Sequence, residues 1–144
     1  MRLVFLSFAL LLSLTNLQAQ KDSTTFKGRF TNEEYKVYLR LNLHQKDVVV
    51  PGHDIFGSLP GYMGKVNNNF VWIVTDSKIR SNDKAQISMI NDFGSEDLTA
   101  TFEQLSDSIF VLRQGHGNTI KMPNGGKWQK LPKELRFKKM SVIP

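Results

Sequence analysis

Three residues of the types that form a hydrolytic site lie close together near the middle of the chain. His53 and Asp54 are adjacent, and Ser58 follows within the sequence GSLPG. A nucleophile elbow requires Gly-x-Ser-x-Gly spacing, whereas Ser58 directly follows Gly57. Adjacent side chains point in different directions on an extended chain, so Asp54 is badly placed to orient His53. We therefore predict no catalytic residue, and a hydrolase is the least favoured function.

The histidines and carboxylates show no arrangement that would hold a metal ion. The three histidines are His44, His53 and His116, and no two of them have the H-x-x-x-H spacing that places two ligands on one face. Residues 91–97 resemble a calcium loop in composition, but the D-x-[DN]-x-[DN]-G pattern is absent. Turn chemistry around Gly94 explains them better. The sequence predicts no metal and no cofactor.

The stretch PGHDIFGSLPGYMGKVNNN, Pro51 to Asn69, divides the chain into two sets of strand-like segments. Its two prolines and four glycines predict that no regular element runs through it. Loops of this length are commonly lids or binding loops, and a solvated linker would not need large apolar side chains. We predict that five of its side chains bind a ligand or a partner: Ile55, Phe56, Leu59, Tyr62 and Met63.

Aromatic residues form the second group of candidates. The residues that could line a cavity or a sugar-binding platform are Phe56, Tyr62, Trp72, Phe93 and Trp128. The alternative is that Trp72, together with Phe102, belongs to the hydrophobic core.

The elements that must position these residues are strands. From Tyr35 to His44 apolar and polar residues alternate, which predicts a half-buried strand with Leu39 and Leu41 inside and Arg40 outside. Short strands of this kind, separated by turn signals, recur about nine times along the chain. The sequence therefore predicts an all-β fold, a single antiparallel meander barrel or sandwich of about 8–9 strands after an N-terminal signal helix.

The first of these strands carries the sequence FKGRF, residues 26–30. It resembles the opening of lipocalin-like (calycin) barrels, which start with a Gly-x-Trp strand, with Phe30 at the position of the tryptophan. In that family a basic side chain from the last strand packs across the tryptophan, and the resemblance points to Arg136 for this role. It implies a meander barrel with a small apolar ligand cavity, its mouth covered by a loop, here residues 51–69.

Residues 1–19 have the features of an export signal. Arg2 supplies the positive n-region, an apolar run follows, and Ala19 ends an acceptable cleavage site. The apolar run is shorter than the ~20 residues that span a bilayer. We predict Gln20 as the mature N-terminus, one domain at residues 20–144, and a soluble periplasmic or extracellular location. The chain has no cysteine, which excludes disulfides and a lipid-modified N-terminal cysteine.

Positive charge is concentrated near the C-terminus. The net charge is +6, and from Lys121 onward there are seven basic residues and one acidic residue, Glu134. This bias favours weak contact with anionic surfaces such as lipid head groups or acidic glycans. The alternative is a solvated edge strand whose lysines prevent edge-to-edge pairing. An exported chain without a nucleic-acid motif is not expected to bind nucleic acid.

These observations favour an exported binding module that holds an apolar or amphiphilic ligand under the loop of residues 51–69. The alternative is an interaction or inhibitor protein that docks through that loop onto an exported or cell-surface protein. An open apolar interior would support the ligand, and an interior filled by side chains would support the protein partner.

Overall fold

The computed structural model describes residues 23–141, which fold almost entirely as β-strands. The predicted export signal, residues 1–19, and the predicted mature N-terminus, Gln20, lie outside the described residues. Within the described range, no helix is long and apolar enough to cross a membrane. The strands are β1 (Lys27–Asn32), β2 (Val37–Asn42), β3 (Val48–Val49), β4 (Ser58–Leu59), β5 (Gly61–Lys65), β6 (Asn68–Ile79), β7 (Lys84–Asn91), β8 (Asp97–Gln104), β9 (Ile109–Gly117), β10 (Lys121–Asn124), β11 (Lys127–Lys130) and β12 (Glu134–Lys139).

Eight of these strands close into one antiparallel barrel in the order β1-β2-β5-β6-β7-β8-β9-β12, and β12 pairs back onto β1. Each barrel strand lies beside the next barrel strand along the chain, so the topology is a meander. Two small sheets, β3-β4 and β10-β11, are inserted into the connections between barrel strands. The all-β prediction is confirmed, and the choice between a barrel and a sandwich is resolved as a barrel.

The alternation of side chains along β2 shows how the sequence builds the barrel wall. Leu39 and Leu41 are fully buried in the interior, whereas Arg40 between them is exposed. Successive residues of a strand point to opposite faces, so every second position faces the core. The strands β7 and β8 repeat the same pattern over eight residues each. The face assignment predicted for β2 is therefore confirmed.

Large side chains fill the interior of the barrel. Five phenylalanine rings contact one another there, with centroid distances of 4.8 to 6.3 Å. This interior phenylalanine cluster consists of Phe26, Phe30, Phe102, Phe110 and Phe137. An eight-stranded barrel is just wide enough for side chains to fill it, which is the arrangement found here. The prediction that Trp72 and Phe102 are core residues is confirmed.

The barrel closes at a short seam between its first and last strands, which two residue pairs join. At this seam the Nζ of Lys139 lies 5.7 Å from the centroid of the Phe30 ring. The same Nζ donates hydrogen bonds to the carbonyl oxygens of Thr24 and Thr25. The basic residue over the Phe30 ring is thus Lys139, and the prediction of Arg136 is wrong, because Arg136 is exposed on the outer face of β12.

Closure of the barrel also bears on the basic C-terminal segment. Strand β12 pairs with β1 on one side and with β9 on the other. The edge-strand explanation therefore does not fit Lys138 and Lys139, which β1 pairs. It does fit Lys121, Lys127 and Lys130, which lie on the two-stranded β10-β11 sheet. Arg136 and Lys138 are exposed on the outer face of β12.

The long central loop predicted for residues 51–69 is shorter than expected, because β5 and the start of β6 lie within it. Glycine does not break β5: a Cβ on Gly64 would lie 2.5 Å from the ring of Tyr38, so the missing side chain lets that ring pack. The connection that leaves the barrel is residues 43–60, which we call the strap. It packs against the outer wall, where Val50 joins Val71 and Ile73 in a small apolar cluster.

Candidate ligand-binding site

The strap and β5 separate the five binding residues predicted from the sequence into three environments. Ile55 and Phe56 lie in a 3-10 turn and are 91% and 53% exposed. Leu59 and Tyr62 are half-buried where the strap meets the outer wall, and Met63 is fully buried inside the barrel. The alternation along β5 sends Met63 inward and Tyr62 outward. Five residues that are close in sequence therefore do not form one surface.

Tyr62 belongs to a polar-aromatic group on the outer wall of the barrel. Its ring meets that of Tyr38 edge-on with centroids 6.0 Å apart, and the guanidinium carbon of Arg29 lies 3.8 Å from the centroid of the Tyr38 ring. Burial, and secondarily the neighbouring Tyr38, raises the pKa of the Tyr62 phenol above its ordinary value. The phenol thus stays neutral at physiological pH, and Tyr62 packs against the apolar cluster on the outer wall.

His53 connects the strap to the turn between β7 and β8. Its Nε2 lies 2.9 Å from Oδ1 of Asp92, and its ring stacks on Phe56 with centroids 5.8 Å apart. The other carboxylate oxygen of Asp92 accepts a hydrogen bond from the backbone N–H of Val71 at 3.1 Å. His53 therefore has a structural partner that the sequence did not indicate. Among residues 23–141, no group of three or more histidine and carboxylate side chains could hold a metal ion.

A concave site lies at the opposite side of that same turn, and we call it the aromatic pocket. Its volume is about 290 Å³. Three segments that are distant in sequence form it: the start of β6, the β7–β8 turn, and the β10-β11 hairpin. Its lining consists of Phe70, Trp72, Asn91, Phe93, Ser95, Glu96, Lys121 and Trp128.

The β10-β11 hairpin is held firmly against the barrel. The indole Nε1 of Trp72 donates a hydrogen bond to the carbonyl oxygen of Lys121 at 2.9 Å. At the base of the hairpin, the Gln114 side chain accepts from the N–H of Ile120 at 2.7 Å and donates to the carbonyl oxygen of Pro132 at 2.9 Å. Residues on both sides of the hairpin are thus bound by one glutamine. This arrangement fixes Lys121 and Trp128 relative to β6.

The β7–β8 turn is organised by Asn91. Its Oδ1 accepts hydrogen bonds from the backbone N–H groups of Ser95 and Glu96, and its Nδ2 donates to the Ser95 hydroxyl. Gly94 has φ 70°, a left-handed conformation that glycine adopts without strain. Asn91 therefore makes the turn contacts predicted around Gly94, whereas Asp92 and Glu96 bind residues outside the turn. The turn places Phe93 and Glu96 at the pocket.

The walls of the pocket are aromatic rings. Phe93 and Trp128 are 73% and 55% exposed, and their ring centroids lie 6.5 Å apart at an interplanar angle of 78°. Phe70 is buried beneath both, at 5.6 Å from Phe93 and 4.9 Å from Trp128. Rings that meet edge-on in this way leave faces available for a ligand. Of the five aromatic residues that the sequence suggested for a cavity, Trp72, Phe93 and Trp128 line this site, whereas Phe56 and Tyr62 do not.

The polar part of the pocket is an ion pair. The Lys121 Nζ lies 3.2 Å from Oε1 of Glu96, with side chains 36% and 26% exposed. The second carboxylate oxygen of Glu96, Oε2, is buried and receives no hydrogen bond from any residue in the described range. Phe70, Glu96 and Lys121 were not assigned to a site from sequence, because only the folding back of the hairpin brings them to Trp128.

Two other surface cavities are larger, at about 680 and 520 Å³. Both are open and share Thr31 and Asn32 at the end of β1 and Glu33 in the turn that follows, with few aromatic side chains in their linings. Ligand sites combine apolar walls with a few converging polar groups. The aromatic pocket fits that description better than either larger cavity.

Comparison with known proteins adds no assignment. No family model, no curated protein and no solved structure matches this chain.

Proposed function

We propose that the protein is an exported module that binds a small amphiphilic ligand in the aromatic pocket. The observation that carries the proposal is the convergence of Phe93 and Trp128, 35 positions apart in sequence, onto one concave site while both stay largely exposed. A large exposed aromatic group next to polar groups is typical of interaction sites. A ligand would cover the rings and contact the Glu96–Lys121 pair.

The proposed binding site lies at the β10-β11 hairpin and not at the loop of residues 51–69, for a physical reason. Side chains occupy the barrel interior, and the strap packs on the outer wall, so little space lies beneath the strap. The aromatic pocket offers what the interior does not, a volume of about 290 Å³ lined by four aromatic residues, Phe70, Trp72, Phe93 and Trp128. The binding module itself is the function expected from the sequence.

We also infer that the barrel is lipocalin-like. The support is an eight-stranded meander in which a basic side chain of the last strand, Lys139, lies over a ring of the first strand, Phe30. Lys139 in addition binds the carbonyl oxygens of Thr24 and Thr25 and so ties the N-terminal segment to the last strand. Export is supported by the signal-like residues 1–19.

The exposed Arg136 and Lys138 side chains support a weaker proposal, salt-sensitive contact with anionic surfaces. Such contact would raise the local concentration of the protein near a charged surface without selecting a ligand.

A second candidate function is docking onto another exported or cell-surface protein through the strap. Ile55 and Phe56 favour it, because they are 91% and 53% exposed at the tip of the strap. The filled barrel interior is also consistent with this function.

The two candidates are separated by a matched pair of variants, Trp128→Ala and Phe56→Ala, whose parent side chains are 55% and 53% exposed. Binding would be measured by calorimetry and ligand-observed NMR with a panel of neutral aromatic alcohols and methyl glycosides. We expect at least one probe to bind, and Trp128→Ala to weaken it roughly tenfold or more, since a buried ring contact contributes over 1 kcal/mol. Phe56→Ala should bind as the parent does.

Two results would contradict the proposal. The first is a panel in which no probe binds. The second is loss of binding in Phe56→Ala, or in Phe56→Ala/Tyr62→Ala, with Trp128→Ala unaffected, which would return the site to the strap.

A further inference from the structure

The electrical balance of the aromatic pocket restricts the ligand that it can hold. Its lining contains one acidic and one basic side chain, Glu96 and Lys121, and the two form an ion pair at 3.2 Å. Their charges cancel, so the pocket offers no uncompensated charge to attract an ionic ligand. An ammonium group would repel Lys121, and a carboxylate would repel Glu96. The balance favours a neutral molecule.

The Glu96–Lys121 pair gives the pocket polar groups that a ligand can contact. Oε1 of Glu96 accepts from Lys121, whereas Oε2 is buried and accepts from no residue in the range 23–141. Because Oε2 is shielded, a ligand meets the parts of the pair that remain accessible, in side chains that are 26% exposed for Glu96 and 36% exposed for Lys121. Charged groups form stronger hydrogen bonds than neutral groups, so O–H groups of a neutral ligand would find partners there.

The rings supply the third restriction. Phe93 and Trp128 stand at 78° to each other, so their faces form a corner above the buried Phe70 ring. The face of an aromatic ring is electron-rich and attracts the weakly positive hydrogens of C–H bonds. A ligand that fits this corner has one face of C–H groups and a rim of hydroxyl groups. A pyranose ring has both.

We propose that the ligand of the aromatic pocket is a neutral saccharide, stacked on Trp128 or Phe93, with hydroxyl groups that contact the Glu96–Lys121 ion pair. This inference rests on the proposed binding function and narrows it to one class of molecule. The two components of the site have different roles. The rings contact the C–H face of the sugar, and the ion pair hydrogen-bonds its hydroxyl groups and favours a ligand without net charge.

The experiment compares three sets of probes on the full chain. The first set is neutral methyl hexopyranosides and their disaccharides, and the second is the matched charged sugars, glucosamine and glucuronate. The third is neutral aromatic alcohols without a sugar ring. Binding is followed by tryptophan fluorescence, since both tryptophans of the chain, Trp72 and Trp128, line the pocket. Ligand-observed NMR gives an independent measurement.

We expect a neutral saccharide to bind roughly tenfold more tightly than its charged counterparts. A factor of this size corresponds to the loss, in the complex with the charged sugar, of one hydrogen bond to the ion pair. The charge-balanced variant Glu96→Met/Lys121→Met removes both polar groups and keeps similar side-chain length. It should bind the saccharide roughly tenfold more weakly while aromatic alcohols bind within about twofold of the parent, because the rings are unchanged. Its thermal melt and near-ultraviolet dichroism show that the pocket is folded.

Each outcome decides between the two proposals. Binding of aromatic alcohols without any saccharide would overturn the saccharide inference and leave the binding function standing. Tighter binding of a charged sugar than of its neutral counterpart, or unchanged saccharide binding in the folded double variant, would also overturn the inference. If no probe from any set binds, both the inference and the proposed function are wrong.

Discussion

The interior phenylalanine cluster and the aromatic pocket are built from the same kind of contact. Ring centroids lie 4.8 to 6.3 Å apart in the first and 4.9 to 6.5 Å apart in the second, with edge-on contacts in both. They differ in what surrounds the rings: barrel strands enclose one cluster, while the other lies between two connections and the start of a strand. Position in the barrel register, rather than residue type, decides which rings are buried.

The difference has an energetic meaning. A ring inside the barrel is removed from water by folding itself, so its burial contributes to the stability of the fold. Phe93 and Trp128 remain mostly exposed to water after folding. The free energy of burying their rings would be released only when a ligand or partner covers them. The first cluster should therefore affect unfolding, and the second should affect binding.

The largest expected effect tests this division directly. Phe102→Ala should destabilise the fold by about 3–5 kcal/mol, because it empties a fully buried ring site in the interior cluster. Phe93→Ala should change the free energy of unfolding by only about 0.5 kcal/mol or less, as exposed positions usually do. Urea denaturation of both variants gives the comparison. A similar loss for Phe93→Ala would show that the aromatic pocket is a structural cluster after all.

One lysine lies beside each group of rings, Lys139 at the interior phenylalanine cluster and Lys121 at the aromatic pocket. Substitution of Lys139, at the seam, should have the second-largest effect on stability. Lys139→Met should destabilise the fold by about 1.5–3 kcal/mol, the range for hydrogen bonds made by charged groups, because the Thr24 and Thr25 carbonyl oxygens lose a charged donor. The neighbouring exposed lysine provides the control, and Lys138→Met should be nearly neutral. Equal denaturation midpoints for the two variants would mean that the seam does not depend on Lys139.

The smallest effect compares two carboxylates. Glu96 has one oxygen without a partner, whereas Glu103 is bound by Arg113 and Lys84. Hydrogen bonds from Arg113 and then Lys84 lower the pKa of Glu103 below its ordinary value. A lowered pKa in the folded state stabilises the fold above the unfolded-state value of about 4.3, and this contribution is lost as the pH falls through the folded-state value.

Glu103→Gln should therefore lower the melting temperature slightly at pH 7, and the difference from the parent should shrink as the pH falls below about 4. Melts across this pH range provide the measurement. The exposed Glu34→Gln serves as the control and should show no such convergence. If the difference in melting temperature between Glu103→Gln and the parent stayed constant with pH, the effect of the substitution would come from packing and not from the carboxylate charge.

Much of the barrel could be predicted from the alternation of residue types. In β2 the period of two separates Leu39 and Leu41 from Arg40 without any tertiary information. The same reasoning could have identified the lysine at the seam. Lys139 shares the parity of the buried Phe137, whereas Arg136 has the opposite parity and must point outward. The error there came from choosing a basic residue by type and not by register.

The aromatic pocket was only partly accessible from sequence. Phe93 in a polar turn and Trp128 among lysines are unusual enough to be noticed, since polar connections rarely carry large rings. Their convergence was not predictable, because it depends on how the hairpin folds back and on the bond from Trp72 to the Lys121 carbonyl oxygen. The assignment of residues 61–65 to a loop was wrong for a related reason: glycine favours turns and loops in a sequence, whereas Gly64 of β5 makes room for the Tyr38 ring.

The way in which the β10-β11 hairpin is inserted has a consequence for how this protein diversifies. The hairpin leaves and rejoins the barrel between β9 and β12, which pair with each other directly, and Gln114 clamps its base. Changes in length or composition at the tip, residues 124–128, leave the wall of the barrel as it was. The sequence of the tip is therefore decoupled from the scaffold, as antibody loops are from their framework, and a library of tip sequences grafted here would vary the proposed site on one unchanged barrel.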